Sequence, residues 1–280
     1  MRYKVHDTNS KFSRIFKPIY QYLNFSKGDI PTVMIMGCQR SGTTLVSRVF
    51  DSFLNTKVYG EFSVLSDDRI NKIRLNSIKD VNKKLKNVKA ELIVMKPLVE
   101  SQNADLLLNS IPNSNVIWMY RNFIDVASSD VLQFSNTAGH GNLQAIIKGD
   151  FTNWRSEKLT NEVVDMVKFY YSKHLPPLDC ACLFWFARNS LYFSQDLFTN
   201  KNVSLWKYES LTDSPRNHFE NLGRSLNVNL ENYPYEKVIS KDSVAKNIDS
   251  KINRDINLLC NDMLSRLDSC QLPIGNSLQL

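Results

Sequence analysis

Short, wholly apolar runs alternate along this chain with longer stretches in which apolar residues recur every three or four positions. The short runs are Val33-Met34-Ile35-Met36, the core of ELIVMKP at 91–97, and Val116-Ile117-Trp118-Met119-Tyr120. Runs of this length, bounded by Gly, Pro or polar residues, predict strands buried on both faces, as in a parallel sheet. Val58-Tyr59 predicts a further short strand, and 203–211 another. Between them the period becomes helical. Leu45, Val46, Val49, Phe50 and Phe53 share one face after the first strand. Further helices are predicted at 104–111, 143–148, 163–171, 183–197 and 252–267, and one opens at Asp213-Ser214-Pro215 and runs through Phe219 to Leu226. The segment 66–90 is lysine-rich and polar, a surface helix pair or an irregular insert, and 136–142 is a loop. Strands alternating with helices predict an α/β fold of three layers, a mostly parallel β-sheet flanked by helices.

Near the N-terminus, Phe12, Ile15, Phe16, Ile19, Tyr20 and Leu23 fall at helical spacing. This stripe predicts a helix packed on the domain, in preference to one lying on a membrane surface. No apolar run is long enough for a secretory segment or an anchor. A length of 280 residues suits one domain, divided here into an N-terminal helical extension (1–28), a core (29–226) and a C-terminal helical part (227–280). The net charge of +7 suits an anionic ligand, but the charges are dispersed and do not call for nucleic acid. Five cysteines without paired CxxC spacing predict reduced thiols in a cytoplasmic chain, with Cys180 and Cys182 as small buried residues. No His/Cys/Asp cluster has metal-ligand spacing. His140, His174 and His218 read as surface histidines.

The candidate chemistry starts at 31–50. Strand, Gly37, a tight loop Cys38-Gln39-Arg40-Ser41-Gly42, then Thr43 and Thr44 opening a helix: this order aims several backbone N–H groups and the positive helix end at one spot. Such a spot binds a phosphate-like group. Gly37 and Gly42 are spaced as in the nucleotide loop G-x-x-x-x-G-K-[ST], but Thr43 stands at the lysine position and the cation is Arg40. Arg40-Ser41-Gly42-Thr43-Thr44-Leu45 resembles the variant P-loop of the sulfotransferase family, in the form found in protein-tyrosine sulfotransferases and related bacterial sulfotransferases. The resemblance implies a P-loop NTPase-like core and a co-substrate, 3′-phosphoadenosine 5′-phosphosulfate (PAPS), whose phosphosulfate end sits on Arg40, Ser41, Gly42, Thr43 and Thr44.

A second signature follows the 115–120 strand. Arg121-Asn122-x-x-Asp125-x-x-x-Ser129 is similar to the family's R-[DN]-x-x-D-x-x-x-S, which implies that Arg121 and Ser129 hold the 3′-phosphate. A planar guanidinium suits a terminal phosphate. Asp125 reads as a helix-face carboxylate, and Gln133 lies near a place where some relatives add an arginine. Gly60-Glu61 resembles the Gly-Glu of tyrosine sulfotransferases, which implies Glu61 as catalytic base, although a loop glutamate is ordinarily just solvated. Lys96 ends the 91–97 strand, where the family has a lysine on the transferring sulfonate. Leu98 stands where the small-molecule branch has its histidine base, a departure that favours Glu61. Tyr208 fits a family tyrosine near the adenine, with Glu209 structural, and Ser243-x-x-Lys246 is a short, weak match beside the cofactor. The implied activity is sulfonate transfer from PAPS, without metal, to a hydroxyl of an acceptor (sugar, lipid, small metabolite or peptide). Arg40, Lys96 and Glu61 would do the chemistry, in a chain compatible with a homodimer. The alternatives are a P-loop kinase or NTPase, which Thr43 argues against, and a non-catalytic nucleotide-binding protein of the same fold.

Overall fold

The computed structural model describes residues 11–67, 73–134, 138–231, 233–239 and 251–271. The match at Ser243 and Lys246 lies outside them. Five strands, β1 (Thr32–Gly37), β2 (Thr56–Tyr59), β3 (Leu92–Met95), β4 (Ser114–Tyr120) and β5 (Val203–Lys207), form one sheet in the order β2-β3-β1-β4-β5. Every neighbouring pair is parallel. The strand β1 is buried along its whole length, with later strands on both sides of it. An open parallel sheet of this kind presents its crevice at the carboxyl ends of the strands around such a centre, so the loop after β1 lies at the natural ligand position.

The period-2 alternation of side chains divides the apolar runs between two cores. Met34, Met36, Met95, Trp118 and Tyr120 face one side, Val33, Ile35, Val94, Ile117 and Met119 the other. On the second side the sheet is covered by α2 (Thr43–Ser52) and by Phe219 and Leu222 of a later helix, with Phe50 and Phe219 edge to face at 5.1 Å. Before α2, α1 spans Lys11–Asn24; after it come α3 (Ile78–Leu85), a 3₁₀ turn Leu98–Asn103, α4 (Ala104–Ser110), α5 (Phe123–Phe134), α6 (Ala138–Lys148), α7 (Asn161–Tyr170) and α8 (Pro177–Ser194). The chain continues through α9 (Tyr208–Asp213), α10 (Pro215–Leu226), α11 (Tyr235–Val238) and α12 (Arg254–Ser269). Helix α8 is buried nearly all round, against α5, α6 and α12.

Several expectations change. The strand β5 stops at Lys207, and 208–211 belong to α9, because Tyr208 turns inward beneath the loop after β1. Among its described residues, segment 66–90 holds one helix, α3, preceded by an antiparallel bridge between Ser66 and Leu75. The loop expected at 136–142 gives way to α6 from Ala138 onward: Gly139 lets it approach α8 so closely that a Cβ there would lie 2.8 Å from the Pro177 carbonyl oxygen. His140 therefore sits on a helix, 3.4 Å from the Tyr171 hydroxyl and 3.6 Å from Cys180 Sγ, while His218 is buried against Trp206.

Helix α1 does pack on the domain, but by its polar face. Lys17 Nζ donates to the Asp51 carboxylate at 3.0 Å, and Gln21 Nε2 donates to the carbonyls of Leu54 and Thr56 at 3.0 and 2.6 Å. These contacts cover the start of β2, the edge strand, and take up carbonyl groups that an open edge would leave unpaired.

Candidate active site

The loop 37–44 is built on backbone that side chains resist. Gly37 has φ 119°, and a Cβ there would stand 2.2 Å from the Met119 carbonyl oxygen. Gly42 has φ 90°, and its Cβ would meet the Tyr208 ring at 2.4 Å. Both positions need glycine for conformation and for space. Arg40 also lies in the left-handed region, at φ 67°, a cost that a non-glycine residue carries only where the surroundings hold it. What holds it is Ser129 on α5, whose Oγ accepts from Arg40 Nε at 3.0 Å and from Nη2 at 2.8 Å.

The loop also rests on Ser101 in the 3₁₀ turn. Ser101 Oγ accepts the Gly37 N–H at 3.0 Å and lies 3.1 Å from the Gly37 carbonyl oxygen. That turn is anchored by a partly buried polar network. Glu100 and Glu157 share Arg74, at 2.7 Å each. Arg188, wholly buried on α8, donates to Gln102 Oε1 at 3.1 Å and to the Trp154 carbonyl at 3.0 Å. Burial lowers the Arg188 pKa to about 10 and pushes the Cys38 thiol up to about 12.

Beside the loop, the register of β2 on β3 brings two more groups together. Tyr59 pairs with Met95, and the Lys96 N–H donates to the Tyr59 carbonyl at 2.9 Å. Two residues past Tyr59, the Glu61 carboxylate therefore meets the Lys96 ammonium at 3.1 Å. Lys96 Nζ also donates to Thr44 Oγ1, in the first turn of α2, at 2.7 Å. At Gly60 the backbone φ is not positive, and nothing lies within 4 Å of where a Cβ would be.

Arg121 sits at the end of β4, buried, with its guanidinium 4.2 Å over the Tyr208 ring and 3.3 Å from the Asp125 carboxylate. Its carbonyl accepts from Trp185 Nε1 at 3.1 Å, and the next N–H, of Asn122, donates to Glu209 at 3.0 Å. Ser129 is thus turned to Arg40, and Arg121 to Asp125 and Tyr208. Ser41 and Ser128 hydroxyls are buried without hydrogen-bond partners among the described residues.

The sequence from 31 to 261 matches the family described as Sulfotransferase domain. The chain belongs to the sulfotransferase family. No curated protein matches it. Solved structures similar to this sulfotransferase include one from Alicyclobacillus acidocaldarius, 15% identical, with a TM-score of 0.49 over 85% of this chain and 94% of that one. Another is the sulfotransferase domain of the Synechococcus PCC 7002 olefin synthase, 15% identical, TM-score 0.48, over 89% of this chain and 100% of that one. A third, from the curacin biosynthetic pathway, is 14% identical, with a TM-score of 0.49 over 88% of this chain and 100% of that one.

Sequence reasoning missed several groups that shape the site of this sulfotransferase. Ser101 and the Arg74–Glu100–Glu157 network come from segments far apart in the chain and leave no local pattern. Asp130, next to Ser129, was also missed; it is buried, and burial pushes its carboxyl up against the pull of the Arg40 guanidinium. Gln133 is exposed on α5.

Proposed function

We propose that this sulfotransferase transfers the sulfonate of PAPS to an acceptor hydroxyl. The observation that carries the proposal is the chain Glu61–Lys96–Thr44, which joins a carboxylate and an ammonium to the first turn of the helix behind the phosphate-type loop. A cation beside an anion-binding loop suits a leaving phosphate oxygen, and a carboxylate next to it suits an acceptor proton. The loop fits the phosphosulfate end. Its backbone is held open at Gly37, Arg40 and Gly42, and the buried Ser41 hydroxyl lacks a partner among the described residues. Arg121 over Tyr208 suits the 3′-phosphate and the adenine side of the nucleotide.

In this reading the acceptor oxygen bonds to sulfur as the bond from sulfur to the bridging phosphate oxygen breaks. Glu61 takes the hydroxyl proton, and the products are the sulfated acceptor and 3′-phosphoadenosine 5′-phosphate. Arg40, Ser41, Gly42, Thr43 and Thr44 position the donor, and Lys96 and Arg40 neutralise charge on the transferring group and the leaving oxygen. No step uses a metal.

Titration calorimetry without magnesium tests the donor half. 3′-Phosphoadenosine 5′-phosphate should bind more tightly than AMP or ATP; equal affinity for AMP, or strictly magnesium-dependent binding of ATP, would sink the assignment. An acceptor screen with labelled PAPS then tests transfer.

A further inference from the structure

The polar seating of α1 turns its apolar stripe outward. Lys17 and Gln21 face the domain, and on the opposite side Ile15, Ile19, Tyr22 and Leu23 are 68%, 53%, 67% and 74% exposed. An amphipathic helix in a water-soluble domain ordinarily buries its apolar stripe and shows its polar one. Here the arrangement is reversed, and the inward contacts are specific hydrogen bonds and an ion pair.

A second observation stands beside this face. Tyr22, at its margin, and Pro18 form one wall of a cleft of about 800 Å³ whose other walls come from β2 and α3. Into it converge Lys27, Lys57, Lys83, Lys84 and Lys89, against one carboxylate among the described residues, that of Asp80. Asp80 is already engaged, accepting from the Ser77 hydroxyl at 2.6 Å at the start of α3. Three of the lysines meet neutral groups. Lys89 Nζ lies 3.7 Å over the Tyr22 ring, Lys57 Nζ 5.7 Å over the Tyr59 ring, and Lys27 donates to Asn87. Val64 lines the same cleft and is 65% exposed; Phe62, two residues before it, is 72% exposed.

An outward apolar stripe flanked by uncompensated lysines and a tyrosine has the composition of an element that lies in the headgroup plane of an anionic bilayer. We propose that α1 and the lysine cleft beside it dock this chain on the surface of an anionic membrane. No helix among the described residues is long and apolar enough to cross a membrane, and α1, with 14 residues, is suited to lying on one. The cleft passes Tyr59 and Val64, two residues before and three residues after Glu61 in the chain. A soluble polyanion would use the lysines but have no use for Ile19 and Leu23, and charge complementarity together with the apolar stripe favours the bilayer. The inference does not depend on the chemistry assigned to Glu61 and Lys96.

Sedimentation of the full chain with vesicles tests it. Vesicles of phosphatidylcholine containing phosphatidylglycerol should pull the protein down at low salt, those of phosphatidylcholine alone should not, and added salt should release it. Lys57→Gln with Lys83→Gln should weaken binding about fivefold per lysine. Neither side chain donates a hydrogen bond among the described residues, so the fold is spared. Ile19→Glu with Leu23→Glu should weaken it at least about tenfold while leaving the melting temperature and 3′-phosphoadenosine 5′-phosphate binding unchanged. Should that pair fail to fold, Leu23→Gln alone, at the most exposed of the four positions, should still weaken binding. The proposal is overturned if the wild-type chain stays in the supernatant with anionic vesicles. It is equally overturned if heparin competes and the lysine pair abolishes binding while folded Leu23→Gln or Ile19→Glu/Leu23→Glu changes nothing, which would make the cleft a polyanion site.

Discussion

Glu61 and Lys96 face each other at 3.1 Å where β2 and β3 end side by side, each side chain partly covered by the protein. Their meeting follows from strand register, and Thr44 ties the same ammonium to the phosphate-type loop. If Glu61 accepts the acceptor proton, Glu61→Gln should keep the fold and the affinity for 3′-phosphoadenosine 5′-phosphate but lower kcat roughly 10²–10⁴-fold. The lost ion pair, being partly exposed, should cost at most about 1 kcal/mol of stability. Near-normal turnover in the variant would move the base elsewhere, with His140 the next group to test.

Lys96→Ala removes both the ion pair and the bond to Thr44. If the ammonium meets charge that grows as the bond to the leaving oxygen breaks, kcat should fall by a larger factor than nucleotide binding. Single-turnover rates set against calorimetric affinities separate the two effects. Full activity would reduce Lys96 to a strand-end charge that steadies Glu61.

Arg121→Ala should erase the preference for a 3′-phosphate. Loss of a charge-assisted bond to phosphate corresponds to about 1.5–3 kcal/mol, so binding of 3′-phosphoadenosine 5′-phosphate should fall by an order of magnitude or more while AMP binding changes little. Arg40→Ala should differ, impairing binding and turnover together. A variant at Arg121 that discriminates as the wild type does would assign the 3′-phosphate to another group.

Acid sensitivity should trace in part to His218. Burial lowers its pKa below the ordinary value of 6.5, although its Nδ1 lies 2.9 Å from the Ser214 carbonyl. As pH falls through that ordinary value, the unfolded chain takes up a proton that the folded chain resists, so stability is lost toward acid. Melting temperature followed downward from neutral pH should drop more steeply in the wild type than in His218→Asn, which keeps a donor near Ser214 without a titrating ring. Parallel curves would remove His218 from the account.

The elements legible in the sequence were those whose physics is local. Strands buried on both faces must be apolar without interruption, so β1, β3 and β4 announce themselves, and the glycine spacing of the loop reports backbone that only glycine relieves. What was not legible depends on approach between distant segments. The periodicity of α1 shows a stripe but not which way it faces; Lys17, Gln21 and the uncovered carbonyls of 54 and 56 decide that. The histidines misread as surface groups are explained by packing: His218 lies against Trp206, and His140 rides a helix that Gly139 lets close on α8. The pairing of Arg40 with Ser129, 89 residues apart, required the sheet to bring α5 beside the loop.

The open space around Gly60 has a use. Because no atom lies within 4 Å of a Cβ built there and the backbone is not left-handed, the position accepts a side chain without rearrangement. Gly60→Cys would put a thiol one residue from Glu61, in a chain whose cysteines at 38, 180, 182 and 260 are buried, leaving Cys270 to be replaced by serine. If Glu61 meets the acceptor hydroxyl, a fluorophore attached at residue 60 would report, in real time, the arrival and departure of the molecule that is sulfated, before that molecule has been identified by any other means.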